Sequence, residues 1–221
     1  AQKRGQLTVH DHAMTQTTLL HSAGSDPWGA GATSNSRIFG DRVIWGVSAS
    51  GRVAIHAYDP SLGPHALIRH DDPARGAGAV GSDGVDLVWT EGYDRTPEDT
   101  YYPRREIWTA PFTTDPAALQ PRRLRSDPSP PMGARGDAFQ VGCGHAMRRG
   151  VRTSDVQIVR LSDGWAWRLE LQPQTWAGNA LVGITCEEVF IQVAIAVDGV
   201  SQGMAVQRFR LDALGPGIAP D

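Results

Sequence analysis

The 221-residue sequence predicts an all-β fold built from repeated units of four short antiparallel strands. One unit covers residues 81–127, where GSDG, VDLVWTEG, REIWTAPFT and PRRLRSD are separated by turns and a polar loop. A second covers residues 36–72 in the same order, and VIWG at 43–46 aligns with LVWT at 87–90. Self-similarity at a period of about forty residues, with four strands per repeat, is typical of β-propeller blades.

The whole chain, residues 1–221, is expected to form a single propeller domain with about four blades. The predicted blades are residues 37–72, 77–127, 137–173 and 179–214, and residues 1–24 supply a partial blade or closing strands. Residues 25–36 are rich in Gly, Ser, Pro and Asn and are predicted to form a loop. Alternation of apolar residues along the strands places Trp45 and Trp89 in the core.

The last predicted blade lacks a fourth strand, because LGPGIAPD follows its third strand. QTTLLHSA at residues 16–23 is a candidate closing strand, but QLTVHDHA before it then duplicates a third strand. Two alternatives remain: a small propeller with irregular closure, or the C-terminal part of a larger propeller. The first residue is Ala1 rather than Met, which favours the second alternative.

Composition limits the classes of function. The formal net charge of −3 argues against a nucleic-acid partner, which attracts a basic surface, and no apolar run is long enough for a membrane span. The motifs GxSxG and HExxH and a phosphate-binding loop are absent. His10 and His12 point the same way on a strand but lack a clear third ligand. We therefore expect no cofactor and no metal site.

The two cysteines, Cys143 and Cys186, occupy corresponding places just after the first strand of adjacent blades. One interpretation is a disulfide between blades, which implies an oxidising compartment. The other is a pair of buried free thiols, because like positions on neighbouring blades can lie too far apart for a disulfide. The sequence leaves both open.

The repeats, together with TCEEVFIQV at residues 185–193 and QRFRLDALGPGIAPD at residues 207–221, resemble propellers of bacterial secreted or envelope proteins. That group is the broad TolB-like and WD-repeat-like class. The resemblance covers most of the chain and is architectural, since the WD and GH pairs do not recur as a set. It implies an extracellular, periplasmic or envelope location, and it brings no catalytic residues.

The best candidate binding region is the long loop at residues 92–105, which the first blade lacks. Tyrosine and arginine are enriched where protein surfaces bind partners, and long loops on rigid scaffolds often carry function. A solvated insertion is the simpler alternative. In propeller geometry Trp28 and Trp176 lie on the same face as this loop. The candidate loop residues are Tyr93, Asp94, Arg95, Glu98, Asp99, Tyr101, Tyr102, Arg104 and Arg105.

These observations favour a non-catalytic scaffold that binds a protein or carbohydrate partner through its loop-rich face. The first alternative is a glycan-active enzyme, a hydrolase or lyase, with carboxylates such as Asp94, Glu98 and Asp99 at a central pocket. The second is one part of a split propeller, completed by another chain. An enzyme of this kind needs two carboxylates in a concave pocket, whereas a binding module needs a loop-built face.

Overall fold

The computed structural model describes residues 6–10, 17–22, 32–49, 52–96, 98, 102–126, 139–149, 155–171, 175–197 and 200–221. A two-stranded sheet contains β1 (Gln6–His10) and β2 (Thr17–Ser22). Sheet I contains β3 (Ala32–Phe39), β4 (Arg42–Ala49), β5 (Arg52–Asp59) and β6 (Gly63–Ile68). Sheet II contains β7 (Gly76–Ser82), β8 (Asp86–Tyr93), β9 (Arg104–Pro111) and β10 (Arg122–Ser126).

Sheet III contains β11 (Gln140–Gly142), β12 (His145–Arg149), β13 (Asp155–Arg160) and β14 (Ala166–Glu170). Sheet IV contains β15 (Thr175–Ile184), β16 (Glu188–Val197) and β17 (Val200–Arg210). Two single-turn 3-10 helices, Pro116–Ala118 and Leu211–Ala213, complete the described elements. Each strand pairs antiparallel with the next strand of its own sheet. The fold is all-β and propeller-like, as the repeats predict.

The sheets pack face to face in chain order, with an apolar layer between each pair. Leu87 and Trp89 of sheet II pack against Ile44 and Ile55 of sheet I. The alternate residues of sheet II face sheet III. Val88 packs there in a layer with Val159 of β13 and with Phe139, which directly precedes β11. A third layer joins sheets III and IV. Period-two alternation with apolar residues on both faces is what a sheet between two others requires.

Both tryptophans that the alternation assigns to the core are fully buried, which confirms that prediction. Trp45 lies with Val43 and Val47 on the face of β4 that points away from sheet II. Trp89 lies on the face of β8 that points toward sheet I. Trp45 and Trp89, which are equivalent in the repeat, therefore lie in two successive apolar layers of the stack of sheets.

One local prediction was wrong. Residues 25–36 were expected to form a loop, but β3 begins at Ala32 and pairs with β4 from Ala32↔Ser48 onward. Backbone hydrogen bonds to a neighbouring strand need no apolar side chains, so polar composition did not prevent pairing. The candidate closing strand at residues 16–23 contains β2, which pairs with β1 in a two-stranded sheet.

Cys143 and Cys186 form a disulfide with their Cα atoms 5.0 Å apart. It joins the turn between β11 and β12 to the turn between β15 and β16, so it ties sheet III to sheet IV. Both cysteines are exposed, so the interpretation as buried free thiols was wrong. The tail after β17 returns along sheet III, where Ile218 forms a β-bridge with Ala166.

Candidate functional site

The long loop leaves sheet II at one end, which we call the loop end. The register places Tyr93 opposite Arg104, and Gly76 opposite Gly92, at this end. Strand β10 finishes at the same end, where Ser126 pairs with Glu106. The connection from sheet I to sheet II also arrives here, so several chain segments converge around the start of the loop.

One face of the loop end carries a line of polar residues that continues from the apolar layer. Trp89, Glu91 and Tyr93 share a face of β8 because they are two residues apart. Glu91 lies directly opposite Glu106 of β9. Like charges opposite each other on neighbouring strands are destabilising unless cations or other donors compensate them.

Four donors or cations surround the Glu91 carboxylate, whose side chain is 7% exposed. Trp89 Nε1 donates to Oε1 at 3.2 Å, and the Tyr93 hydroxyl donates to Oε2 at 3.0 Å. Arg75 Nη2 donates to Oε2 at 2.9 Å, and His70 Nε2 lies 3.4 Å from the same oxygen. The carboxylate therefore recovers in the protein the hydrogen bonds that it loses to water on burial.

This environment keeps Glu91 ionised. Burial acts to raise the pKa of the carboxyl group, but the nearby His70 imidazole and the hydrogen bonds from Trp89 and Tyr93 favour the charged form and lower the pKa to about 2. Burial raises the pKa of the Tyr93 hydroxyl, and the negative charge of Glu91 raises it further. At neutral pH the pair is therefore a carboxylate accepting a hydrogen bond from a neutral phenol.

Arginines also neutralise the second carboxylate. Arg123 Nε lies 3.0 Å from Glu106 Oε1, and Arg104 Nη1 lies 3.4 Å from the same oxygen. Arg104 Nε also donates to Asp94 Oδ2 at 2.8 Å. The guanidinium groups of Arg75 and Arg104 lie 4.9 and 4.4 Å from the centre of the Tyr93 ring, within the range of cation–π attraction. The Tyr93 ring therefore contacts Arg75, which pairs with Glu91, and Arg104, which pairs with Glu106.

Tyr102 anchors the end of the loop to the other face of the sheet. Its ring occupies a slot over the paired glycines Gly76 and Gly92, where an added Cβ would overlap the ring. Its hydroxyl donates to the backbone oxygen of Arg75 at 3.1 Å, and the guanidinium group of Arg95 lies 5.8 Å from the ring centre. Tyr102 is therefore a half-buried anchor of the loop.

The loop end brings together Tyr93, Asp94, Tyr102 and Arg104 from the predicted set, with Arg95 beside them. Arg105 is half-buried opposite Gly92 in the ladder, and Glu98 is exposed. Asp99, Tyr101 and Trp28 lie outside the described residues. Trp176 lies in β15 opposite Ala194, and its side chain is also outside the described part. The loop proper is shorter than expected, because β8 extends to Tyr93 and β9 begins at Arg104.

Sequence reasoning missed the residues that organise this site, which are His70, Arg75, Glu91, Glu106 and Arg123. One signal was present: Glu91 continues the buried parity of Leu87 and Trp89, and a charged residue at a core-facing position needs partners. The identities of those partners depend on the register with β9 and β10, which local patterns do not give.

The arrangement combines a buried, ionised carboxylate with arginines that reach solvent. A general acid needs a carboxyl group that is protonated near neutral pH, whereas the pKa of Glu91 is lowered to about 2. Arg75, Arg104 and Arg123 have side chains that are 40%, 55% and 38% exposed, and they offer donors to solvent. Within the described ranges, no group of three or more His, Cys, Asp or Glu residues is placed to hold a metal ion.

Comparison with known proteins identifies no family model and no curated protein that matches this sequence. Neither of the two helices in the described ranges has the length and apolar character that a membrane crossing requires.

Several solved structures are similar in fold. A chain of a nidogen–laminin complex is 13% identical, with 86% of this chain and 67% of that chain covered and a TM-score of 0.46. A prolyl endopeptidase is 17% identical over 98% of this chain but only 40% of its own length, with a TM-score of 0.45. An α-L-arabinofuranosidase from Fusarium graminearum is 8% identical, with 96% of this chain and 70% of that chain covered and a TM-score of 0.43. At these identities no likeness indicates an activity.

Proposed function

We propose that this protein is a non-catalytic binding scaffold that uses the loop end of sheet II to contact a protein or carbohydrate partner. The observation that supports this proposal is the arginine-clamped Glu91–Tyr93–Glu106 cluster. Its buried carboxylates hold Arg75 and Arg104 in place, so these side chains present donors with little conformational entropy left to lose on binding. Ordered arginine and tyrosine side chains are the usual anchors of binding surfaces.

We also propose that the protein works outside the cytoplasm, in an extracellular, periplasmic or envelope compartment. The Cys143–Cys186 disulfide is exposed, and exposed disulfides persist in oxidising compartments rather than in the reducing cytosol. The resemblance to exported bacterial propellers agrees with that location.

The test of the scaffold compares two arginine variants for binding. Arg104→Ala removes a cation of the loop end, and Arg42→Ala removes a similarly exposed arginine of sheet I that also pairs with a carboxylate. Each protein is applied to an array of neutral and acidic glycans and is also used to capture proteins from the extracellular fraction of its source. We expect a bound glycan or protein that is lost with Arg104→Ala and retained with Arg42→Ala. Equal retention by both variants contradicts a role for the loop end.

The glycan-active enzyme is the second candidate, and the structure offers little support for its carboxylates. Asp94 is 62% exposed and paired with Arg104, and Glu98 is exposed. Asp99 lies outside the described residues. The discriminating experiment is release of reducing sugars from a panel of polysaccharides by the protein and by Asp94→Asn and Glu98→Gln. Turnover that either variant abolishes would replace the scaffold proposal with an enzyme.

A further inference from the structure

Sheet IV differs from sheets I, II and III in one respect. In each of those sheets the third strand carries a fourth antiparallel strand, through the pairs β5–β6, β9–β10 and β13–β14. In sheet IV the third strand is β17, and no strand among the described residues pairs with its outer edge. It is 11 residues long and contains no proline, so every backbone N–H on that edge is a potential donor.

Burial separates β17 from its counterparts. Val156, Gln157, Ile158 and Val159 of β13 are all buried, whereas no residue of β17 with a described exposure is buried. Met204 and Val206 are 54% and 57% exposed. A long edge strand with exposed apolar side chains is what proteins ordinarily avoid, because it invites pairing with another chain.

The side chains of β17 indicate the charge and polarity of a strand that could pair with it. Met204, Val206, Arg208 and Arg210 share the exposed face, with the two apolar residues followed by the two arginines. The arginine side chains are each 68% exposed, although Arg208 pairs with Glu188 and Arg210 with Asp212. The opposite face packs toward sheet III through Ala205 and Phe209.

We propose that the outer edge of β17 binds an extended segment of a partner polypeptide, which adds a fourth antiparallel strand to sheet IV. The three complete sheets of the same chain show that a strand is what occupies this position. An antiparallel segment begins beside Arg210 and ends beside Met204. The two arginines stay 68% exposed beside their carboxylate partners, so charge complementarity favours acidic residues in the first half of the segment. The exposed Met204 and Val206 favour apolar residues at alternate positions in its second half. This site is separate from the loop end and does not depend on its function.

The experiment uses a fluorescein-labelled peptide, GGEVETVVLGG, whose glutamates lie opposite Arg210 and Arg208 in the proposed register. Fluorescence anisotropy measures its affinity for the whole chain, and hydrogen exchange shows whether the amides of β17 become protected. We expect saturable binding with protection in β17, and much weaker binding of a proline-substituted peptide, GGEPEPVPLGG, because proline removes the strand's donors.

Charge exchange then tests the register. Arg208→Glu with Arg210→Glu is expected to weaken binding of the glutamate peptide by about tenfold and to strengthen binding of the lysine peptide GGKVKTVVLGG. The matched control is Arg160→Glu, which removes a similar Arg–Asp pair, Arg160–Asp163. Arg160 ends β13, the third strand of sheet III, which already pairs with a fourth strand, β14. This control is expected to bind both peptides as the original protein does.

Three results would overturn the proposal. The first is absence of binding by the folded protein. The second is protection of the outward-facing β17 amides, those that do not donate to β16, before any peptide is added, which means that the chain covers its own edge. The third is a dimer in sedimentation that the double arginine variant dissociates, which assigns the edge to a second copy. None of these results bears on Arg104 or on the loop end.

Discussion

Glu91 is the residue on whose ionisation the loop end depends. Its pKa of about 2 lies below the ordinary value of 4.5, so the stabilisation is complete above pH 4.5 and is lost as the pH falls toward 2. A shift of this size corresponds to about 3 kcal/mol of folding free energy. We expect Glu91→Gln to lower the free energy of unfolding at neutral pH and to flatten its dependence on pH between 4.5 and 2. Urea denaturation at a series of pH values measures both effects.

Glu98→Gln, which changes an exposed carboxylate after the same strand, is the control and should retain the slope of the unchanged protein. Some slope remains in every variant, because hydrogen bonds from Ser61 to Asp59 and from Ser126 to Asp221 lower the pKa of each of these carboxyl groups to about 2. If Glu91→Gln left the pH dependence of the unfolding free energy unchanged, the cluster would not stabilise the ionised form of Glu91.

The position of the β8–β9 loop depends on a glycine pair rather than on the loop sequence alone. Gly92→Ala places a methyl group where Cβ and Cγ of Tyr102 lie, and Cβ is too close to the backbone to be moved by a change of rotamer. We expect this variant to lose about 1–3 kcal/mol of stability through overpacking, as measured by urea denaturation. Faster proteolysis within residues 94–103 should accompany the loss.

Gly183→Ala is the matched control within β15, because no heavy atom lies within 4 Å of the added methyl group. In the Tyr102→Gly background, Gly92→Ala should cost less, since both the Cβ and the ring that it displaces are absent. Additive effects of the two changes would mean that Tyr102 does not occupy the glycine slot.

In the whole molecule, the disulfide joins two sheets that otherwise meet through an apolar layer. Cys143 and Cys186 are 43 residues apart, and loop entropy alone predicts a contribution of about 4 kcal/mol. We expect the double variant Cys143→Ser, Cys186→Ser to lose about 2–4 kcal/mol of unfolding free energy. Reduction of the unchanged protein should produce the same loss, whereas reductant should not affect the double variant. Equal stability of the unchanged protein with and without reductant would contradict a stabilising role of the disulfide.

The repeat makes the stack of sheets predictable from sequence. A period of two along each strand assigns side chains to faces, and apolar residues on both faces of β8 require a neighbour on each side. That is why Trp45 and Trp89 could be assigned to the core without coordinates. The alternation does not predict the burial of charged residues. Arg148 of the basic strand β12 is buried, where it donates to Gln157 Oε1 and lies over the Phe139 ring.

The sequence by itself determined the strand units, their order and the departure of residues 92–105 from the repeat, because these follow from local periodicity and turn residues. The tertiary structure decided which of those residues act together. Glu91 meets Glu106 only through the register across a long loop, and Arg123 comes from β10, beyond a further connection. The Cys143–Cys186 pairing likewise depended on the spacing of adjacent sheets, which the twist and packing of the sheets set and sequence spacing does not.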